Sequence, residues 1–181
     1  NGIDVFRIFD ALNDVRNLDR AVSEVKACGK HAEAAISYTV SPVHSLDRFV
    51  DLARKLEDLG VDTICIKDMA GLLAPLDAYH LVRRLKAAVK VPLHLHSHCT
   101  SGMASMASLM AILGGLDMLD TSISPLAGGT SHPATETLVA SLQNTPYDTG
   151  LELASFQPIT EHFRMVRRKY RDGHWAVPKG V

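Results

Sequence analysis

Three histidines, His94, His96 and His98, recur at every second position across a short apolar run. Side chains alternate between faces along a β-strand, so the three imidazoles share one face. His96 and His98 lie nearer the carboxyl end, the edge at which parallel sheets bind their ligands. Two imidazoles on one face can hold a divalent metal ion, and imidazole alone does not select among Zn, Co, Mn and Fe. The alternative is a polar strand end whose histidines are solvated or satisfied within the core.

A lysine, Lys67, ends another apolar run and is in phase with Thr63 and Cys65. An ammonium group that faces a packed interior is costly unless it is paired or loses its charge. Lys67 could pair with Asp68 or another carboxylate, form a Schiff base, or become a carbamate whose oxygens bind a metal. It could also reach the rim with its alkyl stem buried. The residues alone leave these alternatives open.

Two further polar stretches follow predicted strands. Asp10 and Asn13 come directly after the first strand, where they could orient a substrate or cap a helix. After the fifth strand, Gly129 lets the backbone approach a ligand closely, and Thr130 and Ser131 supply hydroxyl groups. The second stretch could equally be a flexible loop that leads into a helix.

The elements that must position these groups alternate between strands and helices. Amphipathic stretches predict the helices, most clearly over residues 46–59, with Ser45 as the N-cap and Gly60 as the stop signal. Strands begin about 25–30 residues apart, the spacing of parallel βα units. The chain could therefore be a self-contained doubly wound sheet or part of a (βα)₈ barrel, which needs about 250 residues. The predicted strands are Ile3–Phe9, His31–Tyr38, Val61–Ile66, Val91–His96 and Leu116–Ser122.

Composition excludes several classes of function. The 181 residues are 46% hydrophobic and 22% charged, with a formal net charge of -1. This balance argues against a nucleic-acid partner bound through a broad basic surface. Charges interrupt every apolar run before it reaches the roughly 18 residues of a membrane span. Three scattered cysteines do not form a disulfide framework, which predicts a reducing, cytoplasmic location.

Taken together, these stretches resemble the carboxyltransferase domain of biotin-dependent enzymes that act on pyruvate and oxaloacetate. The most specific segments of the resemblance are Ile66–Leu73, His96–His98 and Gly128–Pro133. Two others, Ser37–His44 and Thr145–Gly150, look most like the oxaloacetate decarboxylase α subunit within that family. The likeness runs over nearly the whole chain.

The resemblance implies an α/β fold, a partial (βα)₈ TIM barrel followed by the start of a helical region. Residues 1–150 would be about five βα units, the fourth to the eighth. Residues 151–181 would begin the helical extension, with a helix near Phe156–Tyr170 and a tail from Arg171 to Val181. The family's Arg-Asp-x-x-Gln context of the first strand and its Met-Lys-Met biotin-carrying segment have no match here. We therefore expect the 181 residues alone to show little or no turnover.

The resemblance also implies roles for individual residues. His96, His98 and a carbamylated Lys67 would bind a divalent metal (Zn, Co or Mn), and Thr130 would shuttle a proton between substrate and biotin. The implied function is carboxyl transfer between oxaloacetate or pyruvate and biotin, through a metal-stabilised enolate. Biotin would arrive on a separate carrier domain or subunit.

The sequence leaves three alternative functions open. The first is the carboxyltransferase subunit of a pyruvate carboxylase, which runs the same chemistry. The second is a metal-dependent barrel of the aldolase or acyl-CoA lyase type, such as isopropylmalate synthase, against which Lys67 argues. The third is an inactive piece that only binds a partner or a metal. The expected partners are membrane decarboxylase subunits or a biotin carboxylase subunit, within a homo-oligomer and without nucleic acid.

Overall fold

A computed structural model describes residues 2–171 as five parallel strands packed against helices. The strands lie side by side in chain order, so each one pairs with its predecessor. A doubly wound sheet reverses its strand order at a switch point, whereas a barrel does not. The order therefore favours the barrel segment over the self-contained sheet. The strands are β1 (Val5–Phe9), β2 (His31–Ser37), β3 (Thr63–Asp68), β4 (Leu93–Ser97) and β5 (Met118–Leu119).

One face of the sheet is apolar and packs against helices. Ile36, Ile64, Ile66 and Leu95 are fully buried there. Burial of such side chains contributes about 1.5–3 kcal/mol each, so this layer is the main core. The helices are α1 (Arg16–Ala27), α2 (Leu46–Asp58), α3 (Pro75–Ala88), α4 (Ala104–Leu113), α5 (Thr135–Leu142) and α6 (Gln157–Arg171).

Helix α2 forms as its pattern predicts. The Ser45 hydroxyl accepts a hydrogen bond from the Arg48 amide, at 3.3 Å, and caps the first turn. A buried stripe of Phe49, Val50, Ala53 and Leu56 then faces the sheet. The spacing of these residues is the one that places side chains on a single helical face.

The opposite face of the sheet carries polar side chains. Its register places Arg7 beside Glu33 and Lys67 beside His96. Alternate residues of each strand therefore send apolar groups towards the helices and charged groups towards the other side. This second face, which we call the inward face, holds Arg7, Glu33, Cys65, Lys67, His94 and His96.

The fifth strand is shorter than the predicted Leu116–Ser122. Only Met118 and Leu119 pair with β4. Beyond them the Ser122 amide donates to the carbonyl of Pro133, at 2.9 Å, so the chain pairs with its own returning loop. Tertiary contacts here override the strand-forming tendency of the segment.

Helix α6 packs back onto this region, where Thr160 donates a hydrogen bond to Glu136 at 2.8 Å. The predicted boundary between residues 150 and 151 stays a prediction, and the predicted tail lies outside the described residues apart from Arg171.

Within residues 2–171, no helix combines the length and hydropathy that a membrane crossing requires. The three cysteines are free thiols.

A glycine allows two loops at the carboxyl edge to touch. Gly71, with a φ of 67°, follows β3, and a Cβ at this position would lie 2.6 Å from the carbonyl oxygen of His98. The Ser101 hydroxyl donates to the carbonyl of Gly71 at 2.5 Å and holds the same contact. The loop after β3 thus packs directly on the backbone that carries a predicted metal ligand.

Gly71→Ala should therefore destabilise the protein more than Gly60→Ala. Both glycines have positive φ, which costs alanine about 1–2 kcal/mol, but only Gly71 faces a clash. We expect an additional loss of about 1–3 kcal/mol for Gly71→Ala. Hydrogen exchange of the 61–73 segment in increasing urea measures both variants. Equal losses would show that the close contact contributes nothing.

Candidate metal centre and active site

Three imidazoles converge at the carboxyl edge of the sheet. His96 and His98 come from the end of β4, and His132 comes from the loop after β5. One ring nitrogen from each lies within 4.8 Å of the others. The Nε2 atoms of His96 and His98 are 3.2 Å apart. Nitrogen atoms this close, on three separate rings, could bind one cation.

Backbone carbonyls fix two of these rings. The Nδ1 of His98 donates to the carbonyl of Thr130 at 2.5 Å, and the Nδ1 of His132 donates to the carbonyl of Ser97 at 2.9 Å. A carbonyl oxygen only accepts, so the proton must lie on Nδ1. Each Nε2 is then left with a free lone pair. Metal-binding histidines are held in this way.

A carboxylate fixes the third ring. The Nδ1 of His96 lies 2.7 Å from Oδ2 of Asp120, the residue that follows β5. The carboxylate sets the tautomer and orientation of the ring and makes Nε2 more basic. The donor set therefore fits a divalent metal of the kind that imidazole binds.

Asp120 also belongs to a charged network on the inward face, formed by Arg7, Glu33, His94 and Asp120. The Nη1 of Arg7 donates to Asp120 at 2.5 Å, and its Nε donates to Glu33. His94 places Nδ1 2.8 Å from Glu33 and Nε2 2.8 Å from Asp120. The side chain of Glu33 is only 3% exposed and that of His94 14%, whereas Arg7 and Asp120 are partly exposed, at 25% and 26%.

The network has balanced charge. Burial disfavours a charged His94 ring, but hydrogen bonds to Asp120 and Glu33 outweigh it and raise the pKa of His94 to about 9. Burial likewise opposes ionisation of Asp120, yet donors from His94, His96 and Arg7 hold its pKa far below the usual range. Two cations thus face two carboxylates. His94 shares the face of His96, as predicted, but both of its nitrogens are engaged, which leaves it outside the group of metal ligands.

Lys67 lies beside His96 in the sheet and is 8% exposed. Its Nζ contacts the sulfur of Met69 and lies 4.7 Å from the ring centre of Phe9. It makes no hydrogen bond to an imidazole in the described structure. Asp68 faces the opposite side of the sheet, so the predicted alternative of a Lys67–Asp68 pair is wrong. Burial lowers the pKa of the Lys67 amine, which increases the neutral fraction.

Thr130 and Gly129 lie on the exposed part of the loop after β5. The loop is braced by the amide of Gly128, which donates to the carbonyl of His132 at 3.0 Å, and by the amide of Cys99, which donates to the carbonyl of Ser131 at 2.8 Å. The Thr130 carbonyl accepts from the ring of His98. Its hydroxyl makes no hydrogen bond to any residue that the structure describes.

Asp10 and Asn13 use their polar atoms within the fold. One oxygen of Asp10 accepts from the amides of Leu12 and Asp14, at 2.9 and 3.0 Å. Asn13 exchanges two hydrogen bonds with the backbone of Ser37, at 2.8 and 2.9 Å, and so ties the loop after β1 to β2. These contacts give both residues a structural role. A role in substrate binding stays a prediction.

Sequence reasoning missed four members of the site. Arg7 and Glu33 are single charged residues within otherwise apolar strands, and that isolation is the signal that could have revealed them. Asp120 gives no stronger signal in the sequence than the start of a loop. His132 lies in the predicted loop, but its approach to His96 depends on how the loop folds back.

The chain belongs to the HMGL-like family, whose profile matches residues 9–162. It is 55% identical over 171 residues to the pyruvate carboxylase B subunit of Methanocaldococcus jannaschii, covering 94% of this chain and 30% of that protein. It is 43% identical over 173 residues to the methylmalonyl-CoA carboxyltransferase 5S subunit of Propionibacterium freudenreichii, covering 94% of this chain and 34% of that protein.

A solved structure shares the fold. The carboxyl transferase domain of Rhizobium etli pyruvate carboxylase, solved with pyruvate, superimposes with a TM-score of 0.95 at 35% identity. The match covers 99% of this chain and 32% of that one. The predicted fold class, part of a carboxyltransferase TIM barrel, is confirmed. The chain spans about a third of the length of these relatives.

Asp120→Asn in the full-length protein should weaken metal binding about 10–100-fold, because the amide no longer fixes the tautomer of His96. Glu33→Gln is the matched control. It breaks the same network but touches no ring of the imidazole cluster.

We expect both variants to lower the free energy of unfolding, by up to about 3–5 kcal/mol, and only Asp120→Asn to weaken metal binding strongly. Titration with Zn²⁺ or Co²⁺ measures the affinity. Equal weakening in both variants would assign the effect to general loss of structure.

Proposed function

We propose that the protein transfers a carboxyl group between oxaloacetate or pyruvate and biotin. The observation that carries this proposal is the convergence of three imidazoles, each fixed through Nδ1, at the carboxyl edge of a barrel sheet. Barrel enzymes place their catalytic groups at that edge. The relatives from Methanocaldococcus and Propionibacterium, a carboxylase and a carboxyltransferase by name, support the choice of reaction.

His96 and His98 hold a divalent metal ion in this proposal, either Zn, Co or Mn. A bound cation of this kind supplies Lewis-acid stabilisation of the negative charge that develops on the pyruvate oxygen. The two rings keep their free lone pairs at the strand end because the Thr130 carbonyl and Asp120 hold their Nδ1 atoms. No imidazole needs to move to receive the ion.

Lys67 supplies a further ligand as a carbamate. Its neutral amine attacks the carbon of CO₂ and loses one proton, which leaves one negative charge on the new oxygens. The electron-rich ring face of Phe9 stabilises an ammonium group but repels a carbamate. Carbamylation would therefore turn the group away from Phe9. The neighbouring position of His96 in the sheet favours a turn towards the imidazoles.

The reaction links two compounds that differ by one carboxyl group. In the carboxylating direction, pyruvate loses a methyl proton and gains the carboxyl group that biotin brings on a carrier domain or subunit. Oxaloacetate decarboxylation is the reverse. The similarity to the pyruvate carboxylase B subunit favours a biotin carboxylase subunit as the partner over membrane decarboxylase subunits. A homo-oligomer of the full-length protein completes the proposal.

The reaction is tested by isotope exchange between oxaloacetate and pyruvate in the full-length protein. Exchange that requires the biotinylated carrier supports the proposal. Exchange without biotin, or cleavage of an acyl-CoA substrate in its place, would favour a lyase of the same family. Removal of the metal with a chelator should abolish exchange, and Zn²⁺ or Co²⁺ should restore it.

Lys67→Ala should abolish the dependence of metal affinity on bicarbonate. In the unsubstituted protein, added bicarbonate should tighten metal binding by about 10-fold or more, because it supplies an anionic ligand. Lys90→Ala, at an exposed lysine, should keep the full bicarbonate effect. Metal titration in CO₂-free and bicarbonate buffers compares the three proteins. If bicarbonate leaves the metal affinity of all three proteins unchanged, the proposed carbamate on Lys67 is contradicted.

Assignment of Thr130 as the proton relay predicts that Thr130→Ala loses exchange while metal binding remains. The support for this role is its exposed hydroxyl beside a metal ligand. Thr130→Ser, which retains the hydroxyl, should keep measurable exchange. If Thr130→Ala retains exchange, Thr130 is not the proton relay.

A further inference from the structure

Helix α6 carries a concentration of positive charge. Residues 164–170, which we call the basic segment, contain four basic residues and no acidic one. The whole chain has a formal net charge of -1, so the residues outside the basic segment together carry an excess of five negative charges. The basic segment therefore has the opposite sign to the rest of the chain. Its basic residues are Arg164, Arg167, Arg168 and Lys169.

Neighbouring carboxylates do not neutralise this charge. Within residues 2–171, no basic side chain of the basic segment takes part in a salt bridge. The outer helices differ, because Lys26 of α1 pairs with Asp62 at 2.5 Å, and Lys86 of α3 pairs with Asp117 at 2.8 Å. Three of the four basic residues of the segment, all except Arg167, are also exposed. Their charge therefore acts on the surrounding solution.

Two contacts place α6 at the carboxyl edge of the sheet. Near its start, Thr160 donates a hydrogen bond to Glu136, which lies in the first turn of α5. Two turns later, Arg167 donates to the carbonyl of Pro125, at 2.8 Å, in the short 3₁₀ turn after β5. The loop after a strand and the first turn of the following helix belong to the carboxyl edge of a barrel. The basic segment therefore lies at the edge that holds the candidate site.

The charge is within electrostatic reach of the site. Pro125, which Arg167 contacts, precedes Thr130 by five residues, and five residues of chain span at most about 17 Å. Salt screens a charge over about 30 Å at an ionic strength of about 0.01 M, and over about 8 Å at about 0.15 M. The potential of the basic segment therefore covers the site at low ionic strength and is largely screened there at high ionic strength.

We propose that the basic segment of α6 attracts dicarboxylate anions to the carboxyl edge of the barrel. The identity of the anion rests on the proposed function, in which oxaloacetate carries two carboxylates and pyruvate one. Coulomb attraction is proportional to the charge of each partner, so the segment acts about twice as strongly on oxaloacetate as on pyruvate. Charges of one sign beside a cleft raise the local concentration of an oppositely charged ligand and its association rate. The segment attracts the anion without contacting it in the bound state.

The test measures anion binding, which does not require turnover. The metal-loaded full-length protein is titrated by calorimetry with oxalate, a dianion, and with pyruvate, a monoanion. In the variant Arg164→Gln/Arg168→Gln, oxalate affinity should fall about 3-fold at an ionic strength of about 0.01 M, and pyruvate affinity less than about 2-fold. At about 0.15 M the loss of oxalate affinity should shrink below about 1.5-fold, because salt screens the charge. Arg167 is left intact because it anchors α6 to Pro125.

The matched control is Lys55→Gln/Lys90→Gln. It removes the same number of positive charges from exposed positions at the opposite edge, in the last turn of α2 and just before β4. It should leave the salt dependence of oxalate binding unchanged.

Three outcomes would overturn the proposal. The first is an unchanged oxalate affinity in the α6 variant at low ionic strength, and the second is an equal loss in both double variants, which would assign the effect to net charge. The third is a change confined to the KM for the biotinylated carrier, which would make α6 a surface that binds protein. Oxalate binding with the expected salt dependence, in a protein without carboxyl exchange, would support the role of α6 and contradict the proposed function.

Discussion

The site depends on the Asp120 carboxylate, which lies between Arg7, His94 and His96 on the inward face. It balances two partly buried cations and at the same time orients a ring of the imidazole cluster. Removal of one partner from a buried ion network commonly costs about 3–5 kcal/mol, because the remaining charge is left without compensation. The same carboxylate therefore links the stability of the sheet to the geometry of the metal centre.

This linkage requires the assembled sheet, because its members are far apart in sequence. Arg7 on β1 and Asp120 after β5 are 113 residues apart, and Glu33 and His94 come from two strands between them. No single βα unit contains two oppositely charged members of the network, and none contains all three imidazoles. The apolar face is formed by local helix packing, whereas the inward face acquires its order only when the register of all five strands is set.

The sequence was most informative where a periodic pattern determines the outcome. Alternation along a strand correctly placed His94 and His96 on one face, and the apolar spacing of α2 correctly predicted that helix. The pattern could not show that His94 pairs with Glu33, because pairing depends on the register between strands. Nor could it show that the strand after Leu116 ends at Leu119, since the returning loop competes for its hydrogen bonds. His132 was missed for the same reason, as its place beside His96 is a long-range contact.

The most direct test is the position of the metal in a crystal of the full-length protein loaded with Zn²⁺, measured from anomalous scattering at the zinc edge. We expect one strong peak about 2.0–2.1 Å from the Nε2 atoms of His96 and His98. The hydrogen bond between Asp120 and Nδ1 of His96 should be retained. A peak bound through Nδ1, or one located away from the end of β4, would contradict this assignment of the metal centre.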